Sequence, residues 1–226
     1  MIKGVIFDLD NTIYNYDMCH EYAMKKLGGY ACQKYKLNLE QFAKAFAEAK
    51  HYVKKRLGNT GASHNRMLYM QRFLEIIGEK PAVEAIALYN LYWNAMFENM
   101  RTFDYVIPFM EQLKKSKIMI GILTDLTAHI QHKKLAHMGL SEYVDIMVTS
   151  EEAGREKPSE AVFELIIKKS GVLPWELLMI GDSYEKDIKG AENVGMNAML
   201  FEMDKKDSMM AKVLEYIDGR ESKGQI

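Results

Sequence analysis

The chain has 226 residues, 48% of them hydrophobic, with 30 basic and 31 acidic side chains. This near balance of charge excludes a strong overall attraction to nucleic acid or to an anionic membrane surface, and the longest apolar runs are too short to cross a bilayer. The two cysteines, Cys19 and Cys32, form neither a CxxC pair nor a metal-ligand spacing. We therefore expect a reducing, cytoplasmic location.

The first predicted element is a short apolar strand over residues 2–8, and two aspartates stand at its end. Asp8 and Asp10 are separated by a single residue in the stretch FDLDNT. Residues two apart in an extended chain point to the same side, so the two carboxylates should share a pocket. Two like charges in one pocket need a cation, a proton or a very polar setting. The pair therefore favours a metal site or a catalytic site over a solvated turn.

The next stretch, residues 16–103, has the periodicity of long helices and few strand signals. Gly28 and Gly29 adjoin within its first helical segment, where each costs ~1 kcal/mol relative to alanine, so we expect a kink or a break there. We assign residues 16–103 to an inserted helical domain. Residues 1–15 and 104–226 then form a separate α/β core.

Beyond this insertion the pattern alternates between strands and helices. The further predicted strands cover residues 118–123, 143–148, 177–180 and 197–201. The predicted helices among them cover residues 109–116, 127–138, 159–169 and 184–194. Strands that alternate with helices of this length form βαβ units. The sequence therefore predicts an α/β fold with a Rossmann-like parallel sheet.

Polar residues follow several of these strands. Thr124 and Asp125 follow the second strand, Asp182 and Asp187 follow the fourth, and Lys157 precedes a helix. Ligands of open α/β sheets bind beyond the carboxyl ends of the strands, so these side chains should meet at one edge. Carboxylate and hydroxyl oxygens suit Mg²⁺, which proteins often share with a phosphate, and a lysine can hold a phosphoryl oxygen.

Four motifs in this order resemble those of the haloacid dehalogenase superfamily. FDLDNT is similar to the first motif, DxDxT, and ILTD to the second, a strand ending in Ser or Thr. EKPSEAVF resembles the third motif, and GDSYEKD resembles the fourth. The helical insertion resembles the type I cap of subfamily I. The stretch TSEEAGREKP is most similar to the pyrimidine-nucleotide and acylneuraminate-9-phosphate phosphatases of that superfamily.

The resemblance implies roles for three aspartates. Asp8 is the nucleophile and forms an aspartyl-phosphate, while Asp10 protonates the leaving group and later activates water. The implied cofactor is Mg²⁺, held by the carboxylates of Asp8 and Asp182 and by the backbone carbonyl of Asp10. The cation would then resolve the repulsion between the paired acids.

Four further residues take roles from the same resemblance. Thr124 hydrogen-bonds the phosphoryl group, and Lys157 offsets its charge. Asp187 orients Lys157 or a metal-bound water, and Ser183 either does the same or is a loop hydroxyl.

The implied function is an Mg²⁺-dependent phosphohydrolase that cleaves a small phosphate monoester, a nucleotide or a sugar phosphate. Dehalogenases of this fold lack the second aspartate, so Asp10 indicates a phosphate ester. Sugar phosphomutases keep both aspartates and stay open as an alternative, as does a non-catalytic, receiver-like module that senses phosphate. The expected partner is a small phosphorylated metabolite, with no nucleic acid and no membrane, and the chain acts as a monomer or a homodimer.

Substrate specificity should come from the insertion, because the core edge sees only the phosphoryl group. The turn GNTGASHNR leads into a helix, which we expect to begin with Ser63 as its N-cap. His64 and Arg66 in its first turn are candidate substrate-binding residues, as is Asp125 of the core. The alternative is an ordinary capped surface helix. Three histidines on the helix over residues 127–138 lack the spacing of a metal face, so we predict that they lie at the surface: His129, His132 and His137.

Overall fold

The computed structural model describes residues 1–217 and has a five-stranded sheet at its centre. All strand pairs are parallel, and the strand order is β3-β2-β1-β4-β5. The strands are β1 (Gly4–Phe7), β2 (Met119–Thr124), β3 (Ile146–Thr149), β4 (Leu177–Gly181) and β5 (Asn197–Leu200). The predicted Rossmann-like α/β fold is confirmed.

Ten α-helices lie in the described part of the chain. Four lie between β1 and residue 100, namely α1 (Tyr16–Tyr35), α2 (Leu39–Leu57), α3 (Arg66–Ile76) and α4 (Pro81–Asn99). The others are α5 (Val106–Lys115), α6 (Ala128–His137), α7 (Ser150–Ala153), α8 (Glu160–Ser170), α9 (Lys189–Asn193) and α10 (Lys206–Ile217). None of the helices in residues 1–217 is long and apolar enough to cross a membrane.

The register of the central strands brings the predicted site residues to one edge. Phe7 at the end of β1 pairs with Ile122 of β2 and Ile180 of β4. The backbone N–H of Asp8 donates to the carbonyl of Ile180 at 2.8 Å. The chain that leaves β1 therefore starts beside the ends of both neighbouring strands.

Both faces of the sheet are buried, as expected for parallel strands that read as continuous apolar runs. Val5 and Phe7 belong to one apolar cluster, and Ile6 between them belongs to another on the opposite face. The first face packs on α5, where the rings of Phe7 and Phe109 meet edge to face at 5.9 Å. The second face packs on α8 through Phe163. This period of two follows from the alternation of side chains along a strand.

The segment between β1 and α5 contains helices and turns but no strand of the sheet. Its helices pack through an aromatic cluster in which Phe73 contacts Phe42 and Phe46 at centroid distances of 5.5 and 6.1 Å. The boundaries of a separate domain over residues 16–103 stay a prediction. The expected break at Gly28 is wrong, because α1 runs through it. A Cβ there would lie 3.0 Å from Phe42, so the glycine permits close helix packing.

The prediction of Ser63 as a helix N-cap is also wrong. The cap of α3 is Asn65, whose side chain accepts from the N–H of Met67 at 2.9 Å. Ser63 lies in a short 3₁₀ helix, Gly61–His64, and donates its hydroxyl to Glu156 at 2.9 Å. The Ser63 hydroxyl, which was expected to cap the helix, therefore binds the buried Glu156 carboxylate of the core instead.

The helix predicted over residues 184–194 is divided in the structure. A turn of π-helix, Tyr184–Ile188, precedes α9. The wider turn lets the Asp187 carboxylate fold back, where its Oδ2 accepts from the N–H of Ser183 at 3.0 Å. A Cβ on Gly181 would lie 2.3 Å from Asp187 Cγ, so the strand end must be glycine for Asp187 to lie there.

Candidate active site

A cavity of about 260 Å³ lies between the carboxyl ends of the central strands and the helical insertion. Its lining includes every side chain that the sequence put forward as a site residue, namely Asp8, Asp10, His64, Arg66, Thr124, Asp125, Lys157, Asp182, Ser183 and Asp187. Asn11, Tyr16, Leu126 and Lys186 complete it. The structure thus brings the predicted set together, while the role of each residue stays a prediction.

The centre of the cavity is a buried ion pair between Asp8 and Lys157. Lys157 Nζ lies 2.7 Å from Asp8 Oδ1 and 2.5 Å from Asp187 Oδ1. Burial alone would lower the pKa of Lys157, but the charges of Asp8 and Asp187 outweigh it and raise that pKa. Burial also raises the pKa of Asp8 well above its ordinary value, against the opposing charge of Lys157. The nearby acids Asp187 and Asp10 raise it further.

Three acids at this position form a group with the geometry of a cation site. One carboxylate oxygen from each of Asp8, Asp182 and Asp187 lies within 4.8 Å of the others. Burial and the charge of Asp187 raise the pKa of Asp182. A divalent cation would offset this crowding, and an all-oxygen donor set fits Mg²⁺. Asp182 is exposed, so water can reach the site, as a magnesium ion that keeps several waters requires.

Asp10 is held by a lysine that the sequence reasoning missed. Lys134 of α6 is fully buried, and its Nζ lies 2.6 Å from Asp10 Oδ1. The Tyr14 hydroxyl donates to the same oxygen at 2.7 Å. Burial lowers the pKa of Lys134, against the opposing charge of Asp10. Three aromatic rings surround the ammonium at 5.6 to 5.8 Å from their centroids, and they belong to Tyr14, Tyr16 and Trp93.

The periodicity of α6 carried a signal for this residue. Lys134 follows Ile130 by four positions, which places both on the buried face of the helix. His129, His132 and His137 are exposed, as predicted.

The hydroxyl of Thr124 is held by a second residue of α6 that the sequence reasoning missed. Gln131 Nε2 donates to Thr124 Oγ1 at 2.6 Å and to the carbonyl of Asp125 at 2.7 Å. Asp125 Oδ1 accepts from the N–H of Lys157 at 3.0 Å, and its Oδ2 pairs with Lys186 at 2.8 Å. Asp125 therefore positions the Lys157 backbone and already has a cationic partner.

The insertion contributes Arg66 to the opposite wall. Arg66 is only 8% exposed and donates to the carbonyl of His64 at 2.6 Å and to the Tyr16 hydroxyl at 2.5 Å. Its guanidinium lies 5.5 and 5.8 Å from the ring centroids of Tyr69 and Tyr92. Burial alone would lower the pKa of Arg66, but the neighbouring tyrosines raise it, so the side chain stays charged.

The insertion contacts the core beside this wall. His64 Nε2 lies 3.1 Å from Glu156 Oε1, next to Lys157 in the chain. A Cβ on Gly61 would lie 2.6 Å from the backbone nitrogen of Glu151. Glycine thus permits the backbone of the insertion to approach the core closely enough to close one side of the cavity.

Comparison with known proteins identifies the family of the chain. The sequence model described as haloacid dehalogenase-like hydrolase matches residues 2–195. The ribulose-1,5-bisphosphate 5-phosphatase of Halopiger xanaduensis is 38% identical over 205 residues, 89% of this chain and 85% of that protein. The pyrimidine 5'-nucleotidase YjjG of Escherichia coli is 31% identical over 137 residues, 60% of each chain.

A solved structure supports the fold. The crystal structure of a HAD phosphatase from Thermococcus onnurineus is similar with a TM-score of 0.68 and 22% identity, over 96% of this chain and 98% of that one. At this identity the likeness concerns the fold alone. The resemblance to the superfamily is confirmed, and its phosphatase relatives include a pyrimidine 5'-nucleotidase. The likeness to acylneuraminate-9-phosphate phosphatases stays a prediction.

Proposed function

The chain belongs to the haloacid dehalogenase-like hydrolases and is a phosphatase of that family, and we propose that it hydrolyses a small sugar phosphate through an aspartyl-phosphate on Asp8. One observation carries the proposal. The buried Asp8 carboxylate shares its cavity with Asp10, whose Oδ1 is held by Lys134 and Tyr14. A nucleophile and a separate proton carrier thus face one small space.

In the first step an oxygen of Asp8 forms a bond to phosphorus, and the bond between phosphorus and the ester oxygen breaks. Asp10 gives its proton to the departing alkoxide. Lys134 and Tyr14 both donate to Asp10 Oδ1, and none of the described side chains donates to Oδ2. Oδ2 is therefore the oxygen that carries the proton. Lys157 and the Thr124 hydroxyl lie where they can offset and orient the phosphoryl oxygens.

In the second step Asp10, now a carboxylate, takes a proton from water. The oxygen of that water bonds to phosphorus while the bond from Asp8 to phosphorus breaks. Inorganic phosphate leaves, and both carboxyl groups return to their starting states. Lys134 and Tyr14 keep Asp10 in one orientation through both steps, since they bind the oxygen that does not carry the proton.

Mg²⁺ is part of this proposal. The carboxylates of Asp8 and Asp182 and the backbone carbonyl of Asp10 would hold it, and Asp187 lies close enough to the first two to join them. When bound, the ion offsets the negative charge of the phosphoryl group and of the clustered acids. Without it, the only cation in direct contact with the Asp8 carboxylate among the described residues is Lys157.

The substrate should be small. The cavity of about 260 Å³ lies below the ~300–1,000 Å³ usual for drug-sized ligands. The relative named as a sugar bisphosphate phosphatase matches 89% of the chain, whereas the nucleotidase matches 60%. Both facts favour a phosphorylated sugar over a nucleotide.

The test is phosphate release from p-nitrophenyl phosphate and from a panel of short sugar phosphates. We expect activity that Mg²⁺ supports and that excess chelator abolishes. Ca²⁺ should not restore it, because it prefers longer bonds and more ligands. Asp8→Asn should lower the rate by at least about a thousandfold, whereas Asp104→Asn at an exposed site serves as the control.

Wild-type turnover in excess chelator would contradict the metal requirement. Undiminished turnover by Asp8→Asn would contradict the assignment of the nucleophile. Isomerised sugar phosphate without inorganic phosphate would identify a mutase instead.

A further inference from the structure

Arg66 differs from the other basic side chains of the cavity lining in its lack of a carboxylate partner among the described residues. Four basic side chains line the cavity, and three of them have carboxylate partners. Lys157 pairs with Asp8 and Asp187, Lys186 pairs with Asp125, and His64 contacts Glu156. No carboxylate of the described side chains forms an ion pair with Arg66.

The neighbours of Arg66 bind its guanidinium but carry no formal negative charge. They are one backbone carbonyl, the Tyr16 hydroxyl and the faces of two tyrosine rings. Moving a charge out of water is costly unless an opposite charge or a full set of hydrogen bonds replaces the water. Arg66 is nevertheless fixed at the wall of the cavity that holds Asp8. An anionic group that enters the cavity can supply the missing counter-charge.

Other cations of the insertion lie on the same side. Lys50 and Lys54 stand one helical turn apart on α2 and form no ion pair with a carboxylate among the described side chains. Burial lowers the pKa of Lys54, and the nearby charges of Lys50, Lys186 and Arg66 lower it further, against the opposing charge of Glu156. Lys50 also lines a neighbouring cavity of about 390 Å³, of which Arg66 forms a shared wall. Lys50 therefore adds a second cation beside Arg66 at this wall.

From this arrangement we infer that Arg66 binds a second anionic group of the substrate, so that the preferred substrate is a short phosphate monoester with another phosphate or a carboxylate at its far end. The inference rests on the proposed function, because the first phosphoryl group must lie at Asp8. Guanidinium groups pair with phosphate and carboxylate through two parallel hydrogen bonds. A neutral polyol end would leave the charge of Arg66 unmatched.

The experiment compares three series of compounds, each made over the same range of chain lengths. They are alkanediol bisphosphates, carboxyalkyl phosphates and hydroxyalkyl phosphates, with p-nitrophenyl phosphate as the reference for chemistry. For wild type at the best length, we expect kcat/KM on a two-anion compound to exceed that on the hydroxyalkyl phosphate by about 10- to 100-fold. The two anionic series show whether phosphate or carboxylate is preferred.

Arg66→Gln should bring that ratio close to one, mainly by raising KM on the two-anion compound. Arg66→Lys should keep part of the preference, since it keeps the charge and loses the paired hydrogen bonds. Arg72→Gln on the same helix, where Arg72 pairs with Glu75 at 3.0 Å, should keep the wild-type ratio. A purely structural role for Arg66 predicts equal losses on all compounds.

The outcomes separate this inference from the proposed function. If wild type hydrolyses none of the compounds, including the aryl phosphate, the proposed function fails. If it hydrolyses the aryl phosphate but treats hydroxyalkyl and two-anion compounds alike, the second-anion site alone fails.

A measurement on wild type covers the case in which Arg66→Gln does not fold. Alkane diphosphonates should inhibit aryl phosphate hydrolysis with an inhibition constant at least about tenfold lower than that of the matched hydroxyalkyl phosphonates. Equal inhibition by the two series would overturn the assignment.

Discussion

The two walls of the candidate active-site cavity differ in how their cations are paired. On the core wall, each described cation meets an acid, as in Lys157 with Asp8 and Lys134 with Asp10. On the wall from the insertion, Arg66 is buried against tyrosines and a carbonyl instead. In the proposed mechanism the core wall faces the phosphoryl group, which is the same in every phosphate ester. In the same proposal the insertion faces the variable part of the substrate, so a charge without a carboxylate partner there can select among substrates.

Substitution of Asp10, the proposed proton carrier on the core wall, should have a large effect on activity. Asp10→Ala should lower kcat/KM on alkyl phosphates by about 10²- to 10⁴-fold, because an alkoxide leaves poorly without a proton. An aryl phosphate, whose phenolate leaves unaided, should lose much less. Steady-state kinetics on both substrates checks this prediction. Equal losses on the two classes would show that Asp10 is not the general acid.

Loss of the ion pair between Lys134 and Asp10 on the same wall should mainly lower the stability of the protein. Lys134→Met removes the ammonium from Asp10 and should lower the free energy of unfolding by about 3 kcal/mol. Lys133→Met, at the exposed neighbouring position, should change it by less than about 0.5 kcal/mol. Urea denaturation of both variants is the measurement. Similar stability for the two would mean that the Lys134 contact with Asp10 contributes little.

The contact between the walls can be tested at Gly61. Gly61→Ala would put a Cβ 2.6 Å from the Glu151 backbone nitrogen, and such overpacking costs about 1–3 kcal/mol. Gly29→Ala is the control, because nothing lies within 4 Å of that Cβ in α1. It should instead stabilise the protein by up to about 1 kcal/mol. Thermal unfolding that moves in the same direction for both variants would contradict the close approach.

The smallest effect concerns a histidine of the insertion. Burial and the charges of Arg66 and Lys50 together lower the pKa of His20 to about 4, against the opposing charge of Asp17. Its Nδ1 lies 2.7 Å from the Tyr92 hydroxyl, and its ring stacks on Tyr16.

His20 binds a proton more readily in the unfolded protein than in the folded one. Wild type should therefore lose stability relative to His20→Gln as pH falls from about 6.5 towards 4. Above about pH 6.5 the difference in stability should be constant. Melting temperatures of the two proteins across this range check the sign. A difference that grows in favour of wild type at low pH would contradict the burial of a neutral His20.

The core wall was largely predictable from sequence because its residues stand at the ends of apolar strands. Asp8, Thr124 and Asp182 each follow a strand whose pattern is clear, and parallel pairing forces them to one edge. Lys134 was not found, because a single lysine on a helix is usually solvated. Only the packing of α6 against Asp10 and the aromatic rings explains its burial.

The insertion was less predictable for a related reason. Its helices follow from periodicity, but their mutual packing decides which side chains reach the cavity. Gly28 was expected to disturb α1 and instead makes room for Phe42. Ser63 was expected to cap a helix and instead binds Glu156 of the core. Both errors come from tertiary contacts that a local pattern does not contain.

The central claim is that phosphoryl transfer passes through Asp8, and chemical trapping tests it most directly. With p-nitrophenyl phosphate, whose phenolate leaves without a proton, Asp10→Asn should accumulate the aspartyl-phosphate, because water is no longer activated. Borohydride reduction after an acid quench converts an acyl phosphate into an alcohol. We predict homoserine at position 8, found by peptide mass mapping only when both Mg²⁺ and substrate are present. An unmodified Asp8 in a protein that still turns over substrate, or modification of another carboxylate, would contradict the account.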